Sequence, residues 1–443
     1  MLTAIIKRDI LEYMMSSKFL IGLGLSVVLA GMSTFINIGD YLQRQQDYLD
    51  AINDFENRGI SVQIFREPQV LSTLVQGKDR VLGNRIEIDY WNLPIQTSGY
   101  MGHTSQHHRY LSGFISVDFA FVVRIVLSLM VIFLGYNSIC EETVQGTLRL
   151  TLANSLSRGQ LLLGKFIGGL FVVLGSLTIA TLVAVLVLVL HPAISVNWDL
   201  ALRILTMWGI SALYLGAFFT LSLMISTIFN RPSVALLVLL QIWIVIIVVY
   251  PNVSVILSQH VVKIPGWEEL NDRKRAIFEP YKRQYDENQK AFIKMARFGQ
   301  YDMELRKKRF ELSAHRTELH YRIDNEYSQE LTRQMHIAQN IAICSPSILL
   351  NGVMQRLAGT DIREFDSFME GVKRHWLKYL ERQSLQYTDY KAYKESELPE
   401  FTYVKQSVAE CIAQTPHHWI ILFLLSVIFF VMAHMVFIKK DIG

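Results

Sequence analysis

The stretch EETVQGTLRLTLANSLSRGQLLLGK, residues 141–165, decides how this chain folds, because it separates two long apolar runs. The stretch begins with two carboxylates, Glu141 and Glu142. Gly146 and Thr147 then interrupt the pattern, and a short leucine-rich amphipathic segment follows. Either Asn154 or Ser157 is in position to cap the helix that comes next. A polar elbow of this length is too short to form a domain, so we interpret it as a docking surface between two spans.

The apolar residues place the chain in the membrane class. They make up 51% of its 443 residues and are concentrated in uninterrupted runs, several of which are long enough to cross ~30 Å of hydrocarbon. The pattern predicts an interfacial amphipathic helix over residues 1–18, followed by six spans. We expect these spans at residues 19–38, 114–139, 161–190, 202–229, 234–257 and 419–438, with Pro251 kinking or ending the fifth.

The short flanks of the spans predict the orientation. Their Lys and Arg residues all fall on one side if both termini are cytoplasmic, and the only short loop on the other side, residues 191–199, has none. We therefore expect a multi-pass protein of the bacterial inner membrane with both ends in the cytoplasm.

The predicted fold class is an all-α polytopic membrane protein with two extracytoplasmic insertions, the first mixed and the second mainly helical. In the first insertion, residues 61–65 and 85–90 alternate like short strands. In the second, residues 267–297 and 303–341 have the pattern of long amphipathic helices, the first interrupted by Pro280. The expected divisions are residues 1–38, 39–113, 114–257, 258–417 and 418–443.

The polar elbow carries a family resemblance. Glu141-Glu142, then Gly146-Thr147-Leu148, Ser157-Arg158 and Leu163-Gly164-Lys165 resemble, in order and position, the cytoplasmic coupling loop of type-2 ABC exporter permeases. Residues 68–77 and 345–361 are similar to outer insertions in a branch of that family related to multicopper-enzyme-maturation permeases. The similar segments together span most of the chain.

The resemblance implies a permease subunit that is not catalytic and does not itself bind nucleotide. ATP and Mg would be bound by separate ABC ATPase subunits, and this chain would hold no cofactor. The other implied partners are a second permease, identical or paralogous, membrane lipids and a periplasmic protein; a net charge of +4 gives no reason to expect nucleic acid. The residues expected to couple to the ATPase are Glu141, Glu142, Gly146, Thr147 and Arg158.

Two other function classes stay open at this point. One is a mechanotransmission complex, in which ATP energy moves the outer domains and nothing crosses the membrane. The other is a membrane-anchored receptor or scaffold with no ATPase. Copurification with an ATPase separates the scaffold from the first two classes, and transport in vesicles separates those two from each other.

Polar residues outside the elbow give further candidates. Arg124 lies inside the second predicted span, and Asp118 lies nearer its outer end. One interpretation is that they line a translocation path or a dimer contact. The other is that Arg124 reaches the outer headgroups while Asp118 is a surface group. The outer loop also contains side chains that copper accepts as ligands. These are Met101, His103, His107 and His108, but glycines in the same loop indicate a solvated segment, and we predict no metal site.

Two further patterns, a phosphate-loop-like motif and a pair of cysteines, bear on possible chemistry. Gly159, Gly164 and Lys165 match G-x-x-x-x-G-K, but Phe166 stands where a phosphate-binding loop needs Ser or Thr, and no strand precedes the motif. Cys344 and Cys411 would both lie outside the membrane, which leaves their pairing open. The sequence contains no H-E-x-x-H or G-x-S-x-G motif, so no enzyme is predicted.

Overall fold

A computed structural model describes residues 2–58, 62–77, 85–88, 117–148, 151, 157–298, 302–388, 390–396, 401, 403 and 405–440. Within these residues the fold is helical except for one short β hairpin, and six helices are long and apolar enough to cross a membrane. The predicted all-α fold with six spans is therefore confirmed. The spans are Ser17–Asp50, Phe119–Val144, Arg158–Val189, Trp198–Ile228, Pro232–Val261 and Pro416–Lys439.

The elements are numbered here in chain order. The helices of the first half are α1 (Leu2–Met15), α2 (Ser17–Arg58), α3 (residues 119–135), α4 (Cys140–Val144), α5 (Arg158–Val189) and α6 (Trp198–Ile228). Those of the second half are α7 (Pro232–Val261), α8 (Trp267–Arg297), α9 (Met303–Ile341), α10 (Pro346–Ala358), α11 (Ile362–Thr388), α12 (Tyr390–Glu395), α13 (Val408–Ala413) and α14 (Pro416–Lys439). Strands β1 (Val62–Phe65) and β2 (Arg85–Ile88) form the antiparallel hairpin.

Helix α6 is the centre of the bundle. It packs against α3, α5, α10 and α14, and every residue from Tyr214 to Thr227 is buried. The hydroxyls inside this helix donate to carbonyl oxygens of the preceding turn, as Ser211 and Ser222 do at 2.7 and 2.8 Å. A buried hydroxyl that bonds its own helix costs little, so the buried part of α6 tolerates these polar side chains.

The bundle has two different ends. One end, called here the terminal end, holds α1, the α3–α4 turn, the start of α5 and the last residues of α14. The other, called the insertion end, holds the described parts of the segments between α2 and α3 and between α7 and α14. Arg203 of α6 donates to the carbonyl oxygens of Leu357 and Gln406 there, which ties the second insertion to the central span.

Two prolines that were expected to disturb helices lie within continuous ones. Helix α8 runs through Pro280, and α7 continues past Pro251 to Val261. In α7 a π-helical stretch, Val245–Val249, immediately precedes the proline, and the amide of Tyr250 bonds the carbonyl oxygen of Val245. The wider turn accommodates the missing N–H of Pro251. Of the two predicted effects of Pro251, a kink or an end of the helix, the end is therefore wrong.

The two insertions are joined to each other next to the membrane. Thr360 Oγ1 donates to the carbonyl oxygen of Val75 at 3.1 Å, and Arg66 Nη2 donates to that of Gly359 at 2.8 Å. Gly359 ends α10 with a φ of 70°, a left-handed conformation that favours glycine. The stretches at residues 68–77 and 345–361, distant in sequence, thus form one contact layer.

Helices α8 and α9 form an antiparallel pair with an unusual seam. Phe278, Tyr285 and Phe292 recur every seven residues along α8, the spacing of a coiled coil. The guanidinium of Arg309 lies 3.8 Å from the centre of the Phe292 ring, and that of Arg316 lies 4.8 Å from the centre of the Tyr285 ring. Cation–π contacts therefore supply part of the packing that leucines supply in ordinary coiled coils.

Candidate functional site

The polar elbow projects from the terminal end as a short turn. Helix α4 follows the end of α3, and Gly146 then turns the chain with a φ of 71°. A Cβ added at Gly146 would have no neighbouring atom within 4 Å. Val144 is 63% exposed beside it, whereas Leu148 is fully buried. The described part of the elbow therefore exposes the apolar side chain of Val144 and buries that of Leu148.

A buried ion cluster holds α4 against α1 and α5. Lys165 Nζ lies 2.9 Å from Glu142 Oε1 and 3.9 Å from Asp9 Oδ2, and Arg8 Nη2 lies 2.9 Å from Glu142 Oε1. Asp9 and Lys165 are 2% and 3% exposed. Two cations and two carboxylates thus balance their charges, as buried charges must.

Glycines of α5 explain how α1 comes so close. A Cβ added at Gly164 would lie 3.1 Å from Ile5 Cγ2, and one added at Gly168 would lie 3.4 Å from Asp9 Cβ. These two glycines are one helical turn apart and leave a shallow groove on α5. Helix α1 lies in this groove, which brings the carboxylate of Asp9 to Lys165.

The same turn is anchored to the central helix. Ser226 Oγ accepts the backbone N–H groups of Ile139 and Cys140 at 3.0 and 3.1 Å. These are amides at the start of α4, which have no partner within that helix. Ser226 therefore ties the start of α4 to the terminal end of α6.

Helix α1 contacts the turn at a second point. Tyr13 and Ser138 are joined through their hydroxyls at 2.7 Å, and burial raises the pKa of the Tyr13 hydroxyl. Lys18 Nζ donates to the hydroxyl of Tyr136 at 2.7 Å. A polar cleft separates α1 from the turn between these contacts, lined among others by Glu12, Asn137 and Gln145.

The helix ends around the elbow are capped by side chains. Ser157 caps α5 and forms a capping box with Gln160, which confirms one of the two predicted caps. Arg158 Nη1 donates to three carbonyl oxygens at the end of α14, those of Phe437, Ile438 and Lys440. A cation at a helix C-terminus is favourable, so Arg158 joins α5 to α14.

The remaining predicted coupling residues lie in or beside α4. Glu141 accepts hydrogen bonds from Asn137 and Gln145, and Thr147 donates to the carbonyl oxygen of Glu142 at 3.4 Å. Glu141, Glu142, Gly146 and Thr147 are thus neighbours in space, while Arg158 belongs to the α5–α14 contact. The leucine-rich segment predicted after Leu148, with Asn154, lies mostly outside the described residues.

The candidates at the other end have different surroundings. Asp118 is buried; it caps α3 through the N–H of Phe121 at 2.7 Å and accepts the N–H of Gln76 at 3.1 Å. Arg124 lies in a π-helical stretch, and its Nε is buried with no hydrogen-bond partner among the described residues. The four residues from Met101 to His108 that were considered for copper lie outside the described part of the chain.

Two other sequence patterns have a clear place in the fold. Gly159, Gly164 and Lys165 all lie within α5, where the backbone is helical and Lys165 is paired with Glu142. Cys411 is a buried free thiol whose Sγ lies 3.8 Å from the carbonyl oxygen of Arg356. The side chain of Cys344 lies outside the described set. In the described part of the chain no group of three or more His, Cys, Asp or Glu is arranged to hold a metal.

The sequence patterns did not identify Asp9 or Lys165 as members of the ion cluster around Glu142. A carboxylate on the apolar face of an interfacial helix is a signal, because such a group needs a buried partner. The G-x-x-x-G spacing of Gly164 and Gly168 is a second signal, since it marks a surface where another helix approaches closely.

The comparison with protein families agrees with this arrangement. The family described as ABC-2 family transporter protein matches residues 3–442, which is nearly the whole chain. Among curated proteins no significant match is found. The match includes the six spans, both insertions and the elbow between α3 and α5. The chain therefore belongs to the ABC-2 family of transporter proteins.

Proposed function

We propose that this chain is the membrane-spanning subunit of an ABC exporter and couples ATP hydrolysis by a separate ATPase subunit to substrate movement. The observation that carries the proposal is the elbow at Val144. It is exposed at its tip, yet its base is joined to α1 and α5 by the Glu142 ion cluster and to α6 by Ser226. In this proposal ATP and Mg are bound by the ATPase, and this chain is not catalytic.

The mechanical path begins at the tip of the elbow. Closure of the ATPase subunits on ATP presses on α4, and the buried Lys165–Glu142 pair carries the displacement to α5. Ser226 carries it to α6, and Arg158 carries it on to α14. Because packed helices move as rigid bodies, these three spans rock together and change access to the translocation path.

The proposed orientation places the terminal end in the cytoplasm of a bacterial cell. Six cationic residues near the ends of the spans support it, because Lys7, Arg8, Lys18, Arg231, Lys439 and Lys440 belong to that end. At the other end Arg203 and Lys263 lie near the ends of described spans, and the α5–α6 loop has no Lys or Arg. Ser233→Cys should then react with an impermeant thiol reagent only after the membrane is opened. Trp198→Cys, at the other end, should react in intact cells; the reverse pattern would overturn the orientation.

In this proposal two permeases form the membrane assembly, and membrane lipids surround them. Six spans resemble half of the family's usual membrane assembly, so a second copy or a paralogue completes the path. A periplasmic protein is proposed to contact the second insertion, whose α8–α9 pair extends about 45 Å, as follows from ~1.5 Å per helical residue.

Charge reversal at Glu141 tests the coupling. This side chain is only partly buried and bonds Asn137 and Gln145 within the elbow, so its replacement leaves the ion cluster intact. Glu141→Lys should reduce ATP hydrolysis of the reconstituted permease–ATPase complex severalfold while the permease stays in the membrane. Glu381→Gln, on the exposed face of α11, is the control and should have no effect. Full coupled activity of Glu141→Lys would remove this elbow from the mechanism.

A second candidate is mechanotransmission, and one observation favours it. The second insertion is bonded to the spans, because Arg203 donates to Leu357 at 2.8 Å and Ser345 Oγ donates to the carbonyl oxygen of Ile246 at 2.9 Å. Rocking of α6 and α7 would therefore move α10 and the helices beyond it. Vesicle transport separates the candidates, because an exporter accumulates solute on ATP hydrolysis, whereas a transmission complex hydrolyses ATP without accumulating any.

A further inference from the structure

Two spans of this protein have little cover within one chain. Only 17% of the most apolar window of α7 and of α14 is buried, against 61% for α6. Their uncovered faces differ in chemistry. Every exposed residue of α14 from Ile420 to Ile438 is apolar, as lipid requires, whereas the exposed face of α7 includes Gln241 and Asn252.

An exposed polar side chain such as that of Gln241 is unfavourable in contact with lipid. The amide of Asn252 donates to the carbonyl oxygen of Val248 at 2.7 Å, but that of Gln241 makes no hydrogen bond to a described residue. Gln241 lies nine residues into α7, about 14 Å from the terminal end, which is near the middle of the hydrocarbon. An unpaired amide at that depth is unfavourable, so this position needs a polar partner.

The surroundings of Gln241 form a surface that fits another helix. Trp243 Nε1 donates to Ser128 Oγ at 2.9 Å and fixes one face of α7 against α3. Gln241 is about 200° away around the helix and so points in the opposite direction. Exposed residues recur every three or four positions on that side, the spacing of a helix–helix seam. They are Val234, Leu237, Gln241, Val245, Val248 and Asn252.

We infer that α7 packs against α7 of a second copy of this chain, with the two Gln241 amides hydrogen-bonded to each other. The inference rests on the proposed two-permease assembly and names its contact. Two copies with the same orientation in a membrane are related by an axis along the membrane normal, so equivalent residues lie at equal depth. Each amide has both a donor and an acceptor, and a symmetric pair therefore satisfies both.

Disulfide crosslinking tests this surface in membranes that contain the complete complex. Gln241→Cys is introduced into a chain whose Cys140, Cys344 and Cys411 are replaced by Ser, and two differently tagged copies are expressed together. Val431→Cys, eight residues from the end of α14 and 41% exposed, is the control at matched depth. Oxidation should join the two tagged copies through Gln241→Cys and not through Val431→Cys.

The outcomes separate this contact from the proposed function. If ATP hydrolysis persists but Gln241→Cys does not crosslink, or Val431→Cys crosslinks equally, the α7 surface is wrong and the coupling proposal stands. If the permease purifies with no ATPase, the coupling proposal fails whatever the crosslink. Gln241→Leu should also weaken self-association by roughly three- to thirtyfold, the range for interhelical hydrogen bonds in membranes. An unchanged association would contradict the amide pair.

Discussion

The ammonium group of Lys165 lies 2.9 Å from the carboxylate of Glu142, and both charges are largely buried at the terminal end of the bundle. This ion pair joins the elbow, proposed above as the docking surface for the ATPase, to one of the six candidate membrane spans. Asp9 of α1 lies on the other side of the same ammonium group, 3.9 Å away. One lysine thus holds three elements that are distant in sequence.

Removing Lys165 should destabilise the protein more than removing it together with Asp9. Lys165→Met leaves two carboxylates, Asp9 and Glu142, to share the guanidinium of Arg8, and breaking a buried pair by removing one partner costs about 3–5 kcal/mol. Asp9→Asn combined with Lys165→Met also removes one of these carboxylates, so that Arg8 and Glu142 balance each other. Thermal unfolding in detergent should therefore give a higher midpoint for the double variant. A double variant less stable than Lys165→Met would show that Asp9 and Lys165 do not interact.

A bulky residue in the α5 groove should release α1. Gly164→Leu places atoms where Ile5 lies, since a Cβ alone would be 3.1 Å from its Cγ2, and overpacking of this kind costs about 1–3 kcal/mol. Gly175→Leu on the same helix is the matched control, because a Cβ there meets nothing within 4 Å. Protease should cut α1 faster in Gly164→Leu alone. Equal protection in both variants would argue against the groove.

Raising the pH should destabilise the second insertion through Asp366. Burial, together with Asp361 and Glu370, raises the pKa of Asp366 to about 6. The protonated form is favoured in the folded state, so its stabilisation is present below pH 4, the range of an ordinary Asp, and is lost as the pH rises through 6. Asp366→Asn should therefore raise the melting temperature at pH 7.5 more than at pH 5. An equal effect at both values would show that Asp366 is not the titrating group.

The spans could be predicted from the sequence because apolar runs of that length have few alternatives. Neither Pro251 nor Pro280 ends its helix, because a helix can continue past a proline when the neighbouring turns adjust their geometry. The π-helical stretch before Pro251 relaxes that condition and follows from tertiary packing rather than from the residues themselves.

The site was predicted only in part, and for a physical reason. Glu142 and Gly146 belong to one local stretch, so their spacing alone indicated an elbow. Lys165, Asp9 and Ser226 join it through contacts between helices, and no local pattern states which helices meet. The same holds for Thr360 and Val75, whose hydrogen bond spans 285 positions of the chain.

Photocrosslinking at Val144 tests the central claim, that the elbow is the contact with the ATPase. A photoreactive residue at Val144, at the exposed tip, is compared with one at Trp198, which is 82% exposed at the insertion end. The account predicts that the permease–ATPase complex yields ATPase adducts from position 144 and none from position 198. Adducts from position 198, or none from position 144 in a complex that hydrolyses ATP, would contradict it.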